Sequence, residues 1–138
     1  MHAPPEPGEL QARGLSPGEV PDAWNLTHPE QIAAVARAYV EAGSQVILTN
    51  TFGANRLRLA GHFLETKVAD INRRGVELSR QAAQGPCRVF ASIGPTGRLL
   101  MDGSTTAEEL EAAFTEQAIA LASAGPDGLV LETMSDLE

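Results

Sequence analysis

Apolar residues recur along this chain in two alternating patterns, short unbroken runs and longer stretches spaced at three and four. Ile32, Val35, Ala36, Tyr39 and Val40 fall at i, i+3, i+4, i+7 and i+8, which predicts one buried helical face. Thr27 and Glu30 have capping-box spacing around Pro29, so the helix is expected to start at Thr27, and Gly43 follows as its left-handed cap. Val46-Ile47-Leu48 then runs into Thr49 and Asn50, the pattern of a parallel strand covered on both faces, before a turn at Phe52-Gly53. A second helix is expected over residues 66–83, with Val68, Ile71, Gly75, Leu78 and Ala82 on one side and Gly85-Pro86 as its stop. Residues 88–93 read as strand, and Gly94-Pro95-Thr96-Gly97 as loop. Thr106 and Glu109 form another capping box, opening a helix that aligns Leu110, Ala113, Phe114, Ala118 and Leu121 before Gly125. A third strand is expected over 128–132. Ser135 and Glu138 again have capping-box spacing, so a further helix is expected to begin there, and the end of the sequence reads as a truncation.

Strand, helix, strand, helix, strand implies parallel pairing through right-handed crossovers. Residues 1–24, rich in Pro and Gly, read as a loop-rich N-terminal segment with a helical turn near Gln11, and residues 25–138 as the folded domain. A closed (β/α)8 barrel takes roughly 250 residues. The expected fold is therefore α/β, a partial (β/α)8 TIM barrel of about three βα units that does not close within 138 residues. Residues 53–64 and 94–105 lengthen the segments that follow the strands, and in such a barrel those segments form the catalytic face.

Charge narrows the partners. Ten Lys and Arg stand against eighteen Asp and Glu, a net charge of −8, which disfavours nucleic acid and anionic membrane surfaces. Apolar runs are too short to span a bilayer and the first ten residues lack a signal-peptide core, so a soluble cytoplasmic protein is expected. Cys87 stands alone, which excludes an intrachain disulfide and a Cys-rich zinc cluster, and its place at the start of a strand reads as core. His2, His28 and His62 lack metal-ligand spacing, and Asp127, Asp136 and Glu138 read as turn and cap residues.

Four motifs occur in one order: Asn25-Leu26-Thr27-His28-Pro29-Glu30, Thr49-Asn50-Thr51-Phe52-Gly53-Ala54-Asn55, Ser92-Ile93-Gly94-Pro95-Thr96-Gly97 and Leu131-Glu132-Thr133-Met134-Ser135-Asp136. Together they resemble the homocysteine-binding domain of the homocysteine S-methyltransferases, a family that includes cobalamin-dependent methionine synthase and betaine-homocysteine methyltransferase. The resemblance runs from about Glu9 to Glu138. It implies methyl transfer to homocysteine, giving methionine. The donor it implies is betaine, S-methylmethionine or methylcobalamin/methyltetrahydrofolate, so cobalamin or folate would enter only with the donor. Two departures stand out. Where the family begins with an apolar strand ending in Asp-Gly-Gly/Ala-Met-Gly-Thr, this sequence has Met1-His2-Ala3-Pro4-Pro5-Glu6-Pro7-Gly8. The family's zinc thiolates match positions beyond Glu138, so its zinc has no ligands here.

At the strand ends the resemblance implies that the amino-acid end of homocysteine is held. Glu132 is then the ammonium acceptor, Asn50 and Thr51 lie beside the ligand, and the Ser92 and Gly94 segment offers backbone donors to its carboxylate, Gly94 and Gly97 permitting close approach. Alone, the chain is expected neither to bind zinc tightly nor to transfer methyl groups, and its open sheet edges favour self-association or a complementing chain. A non-catalytic remnant or binding module that needs a partner chain is the alternative. A glycoside hydrolase using Glu132 and Asp136 fails on geometry, since a pair on one turn cannot face each other across a substrate.

Overall fold

Three parallel strands lie side by side in sequence order in the computed structural model, which describes residues 7–135. Helix α1 (Pro7–Ala12) and a 3-10 turn (Pro21–Ala23) lead into α2 (Trp24–Thr27) and α3 (Pro29–Glu41). Then follow β1 (Val46–Leu48), α4 (Arg56–Ala60), α5 (Val68–Ala82), β2 (Arg88–Ile93), α6 (Ala107–Ser123) and β3 (Gly128–Leu131). Ile47 pairs with Val89 in β1–β2, and Ser92 with Val130 in β2–β3. This is the partial (β/α)8 barrel that the alternation of patterns predicts.

Alternation along the strands sorts their side chains between two faces. Ile47 and Val89 pack with Ala36 of α3 and Ala82 of α5, while Ala91 and Ile93 pack with Val76 of α5 and Leu121 of α6. Leu48, Phe90 and Ser92 therefore belong to the opposite face, the one that lines the interior of a barrel. At the amino ends of the strands, Arg80 of α5 forks onto the Gly125 carbonyl at 2.6 Å and the Asp127 carboxylate at 3.0 Å. Asp127 accepts from Val89 N–H at 2.8 Å, so one ion pair locks the turn before β3 to β2.

Two local expectations are corrected. Thr27 does not cap α3: it ends α2, where its hydroxyl donates to the Ala23 carbonyl one turn back, and His28 takes the cap position without a side-chain cap bond. The segment 53–64, expected as one of the loops of the catalytic face, carries a short helix, because Asn55 accepts from Arg58 N–H at 3.0 Å and opens α4. Thr106 and Glu109 do form the expected reciprocal capping box on α6, and Gly43 adopts φ +95° after α3. His2, Asp136 and the cap expected from Glu138 lie outside the described residues.

Candidate functional site at the carboxyl ends of the strands

Glu132 immediately follows β3, and its N–H donates to the Ile93 carbonyl at 2.9 Å, which extends the β2–β3 ladder one step beyond the strand. Register places Val130 beside Ser92, so Glu132, two residues on, shares the interior face with Ser92. The Ser92 hydroxyl donates to a Glu132 carboxylate oxygen. Glu132 is half-buried and Ser92 fully buried. Directly after Glu132, Thr133 adopts φ +59°. A β-branched residue in the left-handed region costs on the order of 1–3 kcal/mol, and such strain is held only where the surroundings over-determine it.

Behind this pair lies a closed ring of hydrogen bonds. Ser92 N–H donates to Thr49 Oγ1 at 3.1 Å, Thr49 and Thr51 hydroxyls meet at 2.6 Å, and Thr51 Oγ1 donates to the Ser92 carbonyl at 2.7 Å. Because Thr51 spends its proton on Ser92, Thr49 must be the donor to Thr51, and every member is satisfied in one direction around the ring. Thr49, Thr51 and Ser92 are all fully buried.

Asn50 turns away from the ring. Its Nδ2 donates to the Pro21 carbonyl at 2.9 Å and to Asn25 Oδ1 at 3.1 Å, while Asn25 Nδ2 donates to the Asn50 carbonyl at 2.8 Å and the Ile71 carbonyl at 3.0 Å. The asparagine pair thus ties the end of β1 to both the N-terminal segment and α5. Room for it comes from Gly75 of α5, where a Cβ would sit 2.6 Å from Thr51 Cγ2 and 2.8 Å from Asn25 Nδ2. Gly94 serves a similar purpose: its N–H donates to the Phe52 carbonyl at 2.9 Å, and a Cβ there would lie 2.6 Å from that oxygen. The Gly94 amide is therefore committed within the protein, whereas sequence reasoning set it aside as a donor to a ligand.

Asp22, Asn72 and Gln117 carried no assignment from the sequence, and Asn25 entered only as the first residue of a motif; all four are buried. Asp22 accepts from Gly53 N–H at 3.0 Å, and burial pushes its carboxyl up to about 6 against the opposing pull of that N–H and of Arg58. Gln117 of α6 donates to the Thr51 carbonyl at 2.8 Å and to Asn72 Oδ1 at 3.2 Å. The one available signal was Gln117 itself, a polar residue on the face that Ala113 and Leu121 bury.

A zinc ion, which the resemblance implies, does not fit the donors present. Among the described residues there is no group of three or more His, Cys, Asp or Glu able to hold a metal. Cys87 precedes β2 at its amino end, roughly 16 Å from Ser92 at about 3.3 Å per residue. Burial, and then the charge of Asp127, raise its thiol pKa and disfavour the thiolate. His28 stacks on Trp24 with ring centroids 4.3 Å apart, and His62 is exposed beyond α4. No helix among the described residues is long and apolar enough to cross a membrane.

Comparison with known proteins bears on this geometry. The sequence model described as homocysteine S-methyltransferase matches residues 8–138. The methionine synthases of Mycobacterium leprae (strain TN) and Mycobacterium tuberculosis (strain ATCC 25618 / H37Rv) are each 32% identical over 119 residues, covering 82% of this chain and 10% of their own length. The crystal structure of the homocysteine methyltransferase MmuM from Escherichia coli in its metallated form superposes with a TM-score of 0.78 at 29% identity, covering 92% of this chain and 51% of that one. Its oxidized form gives 0.71, covering 88% and 48%. The chain thus spans about a tenth of the methionine synthases and about half of MmuM. From the family match, the shared motifs and the superposed barrel strands, this chain belongs to the homocysteine S-methyltransferase family.

Proposed function

We propose that these residues form the amino-acid-binding part of a homocysteine S-methyltransferase, the enzyme that moves a methyl group to the homocysteine sulfur and yields methionine. In that reaction the S–CH3 bond forms as the donor–CH3 bond breaks, and the thiol proton is lost. The observation that carries the reading is the Ser92–Glu132 hydrogen bond at the strand mouth, in which a strained turn aims a half-buried carboxylate across the interior face. Glu132 accepts the α-ammonium of homocysteine, and Ser92 fixes its orientation. Asn50 and Thr51 hold the end of β1 beside it, and Gly94 lets Phe52 close against β2. The unpaired Cys87 accords with a cytoplasmic setting.

Activating the sulfur is a separate task. Among the described residues no group is placed to stabilise a thiolate at the mouth, so on this reading they bind homocysteine without converting it. Calorimetric titration of L-homocysteine into the chain and its Glu132→Gln variant tests the assignment. Loss of a charge-assisted hydrogen bond should weaken binding about tenfold to a hundredfold. Equal affinity in the two proteins would remove Glu132 from the site.

A further inference from the structure

Four residues of α6 are buried, and three of them are Ala113, Ala120 and Leu121. The fourth, Gln117, puts an amide where the helix positions one turn away on either side, Ala113, Phe114, Ala120 and Leu121, are all apolar. Its orientation is fixed by its partners, since the Thr51 carbonyl and Asn72 Oδ1 both accept and only Nε2 can serve them. Asn72 is fixed in the same way: its Nδ2 donates to the Ala54 carbonyl at 2.8 Å and the Val68 carbonyl at 2.7 Å, leaving Oδ1 toward Gln117. Gln117 Oε1 is buried with no hydrogen-bond partner. An apolar side chain of similar volume would avoid that uncompensated burial, so what the amide contributes is its donor.

That donor ends on Thr51, whose hydroxyl closes the ring on Ser92, whose own hydroxyl holds Glu132. We propose that Gln117 is a positioning residue for the substrate: from α6 it sets Thr51, and through Thr51 and Ser92 it sets the Glu132 carboxylate. The inference rests on the reading of Glu132 as ammonium acceptor. It assigns to a helix that does not touch the ligand a share in ligand affinity.

The test is calorimetric titration of L-homocysteine into the parent chain, Gln117→Met, Ser92→Ala, the double variant and Gln117→Glu. Gln117→Met keeps length and volume and removes the donor; it should lower affinity roughly threefold to tenfold. In the Ser92→Ala background, where the link to Glu132 is already cut, the same change should cost nothing more. Gln117→Glu supplies a readout that packing alone would not move. A buried Glu at 117 has a raised pKa and, once protonated, can donate to Thr51 again, so its affinity should recover toward the parent's as pH falls from 7.5 to 5. It also carries the test should Gln117→Met fail to fold. Parent-like binding by Gln117→Met, the same loss with and without Ser92, or no recovery in Gln117→Glu would each overturn the inference. If instead Glu132→Gln binds as the parent does, or the parent does not bind, the reading of the site has failed and this inference falls with it.

Discussion

Asp22 shows how a single buried charge sets the conditions under which the site region is most stable. Its carboxyl is enclosed between the N-terminal segment and the turn after β1, and its pKa is raised from 3.8 to about 6 chiefly by burial. The folded state therefore holds the proton more tightly than the unfolded chain does. The stabilisation is complete below pH 3.8 and is lost as pH rises through about 6. A shift of about two units corresponds to roughly 3 kcal/mol. Asp22→Asn, which still accepts from Gly53 and cannot ionise, should melt later than the parent at pH 8, with the difference vanishing near pH 4. A variant that melts earlier at pH 8 would show that the fold needs the charge, held by Arg58. Nothing in the local sequence Val20-Pro21-Asp22 announces this role, because the burial arises from packing against residues about thirty positions away.

Among the elements, what could be read in advance was whatever depends on local pattern. The strands at 46–48, 88–93 and 128–131 and the helices α3, α5 and α6 follow from apolar runs and helical spacing, and Thr106 caps α6 as its spacing to Glu109 requires. What escaped was set by distant partners. Thr27 finds the Ala23 carbonyl because a short helix precedes it, and α4 is too brief to show a period. At the site, the motifs placed Ser92 and Glu132 correctly at neighbouring strand ends, but they could not show that Asn50 and Gly94 spend their polar groups on Pro21, Asn25 and Phe52. Gly75 looked like one more small residue on the inner face of α5, and the structure shows instead that α5 must lack a Cβ there for Thr51 and Asn25 to fit. Gly75→Ala should accordingly lower stability by on the order of 1–3 kcal/mol despite its better helix propensity. A urea midpoint equal to or above the parent's would mean that the asparagine pair and Thr51 are not packed against α5 in this way.

At the scale of the whole molecule, binding and sulfur activation are separated on the proposed reading. The mouth of the sheet has a carboxylate fixed by Ser92 and a buried ring and amides behind it, while the lone cysteine lies at the other end of β2 and no described cluster can hold a metal. Leu129 and Leu131 of β3, in register with the helix-facing Ala91 and Ile93, are exposed, so among the described residues no helix covers the outer face of β3 there. The account therefore requires that residues 1–138 recognise homocysteine and do not methylate it. The most direct measurement is methionine formed by the purified chain, supplied with zinc, L-homocysteine and, in turn, betaine, S-methylmethionine and methylcobalamin. The account predicts no methionine above the protein-free blank, under conditions where calorimetry registers homocysteine binding that depends on Glu132. Sustained turnover by this chain would contradict it, and would place the sulfur-activating group among residues 1–138.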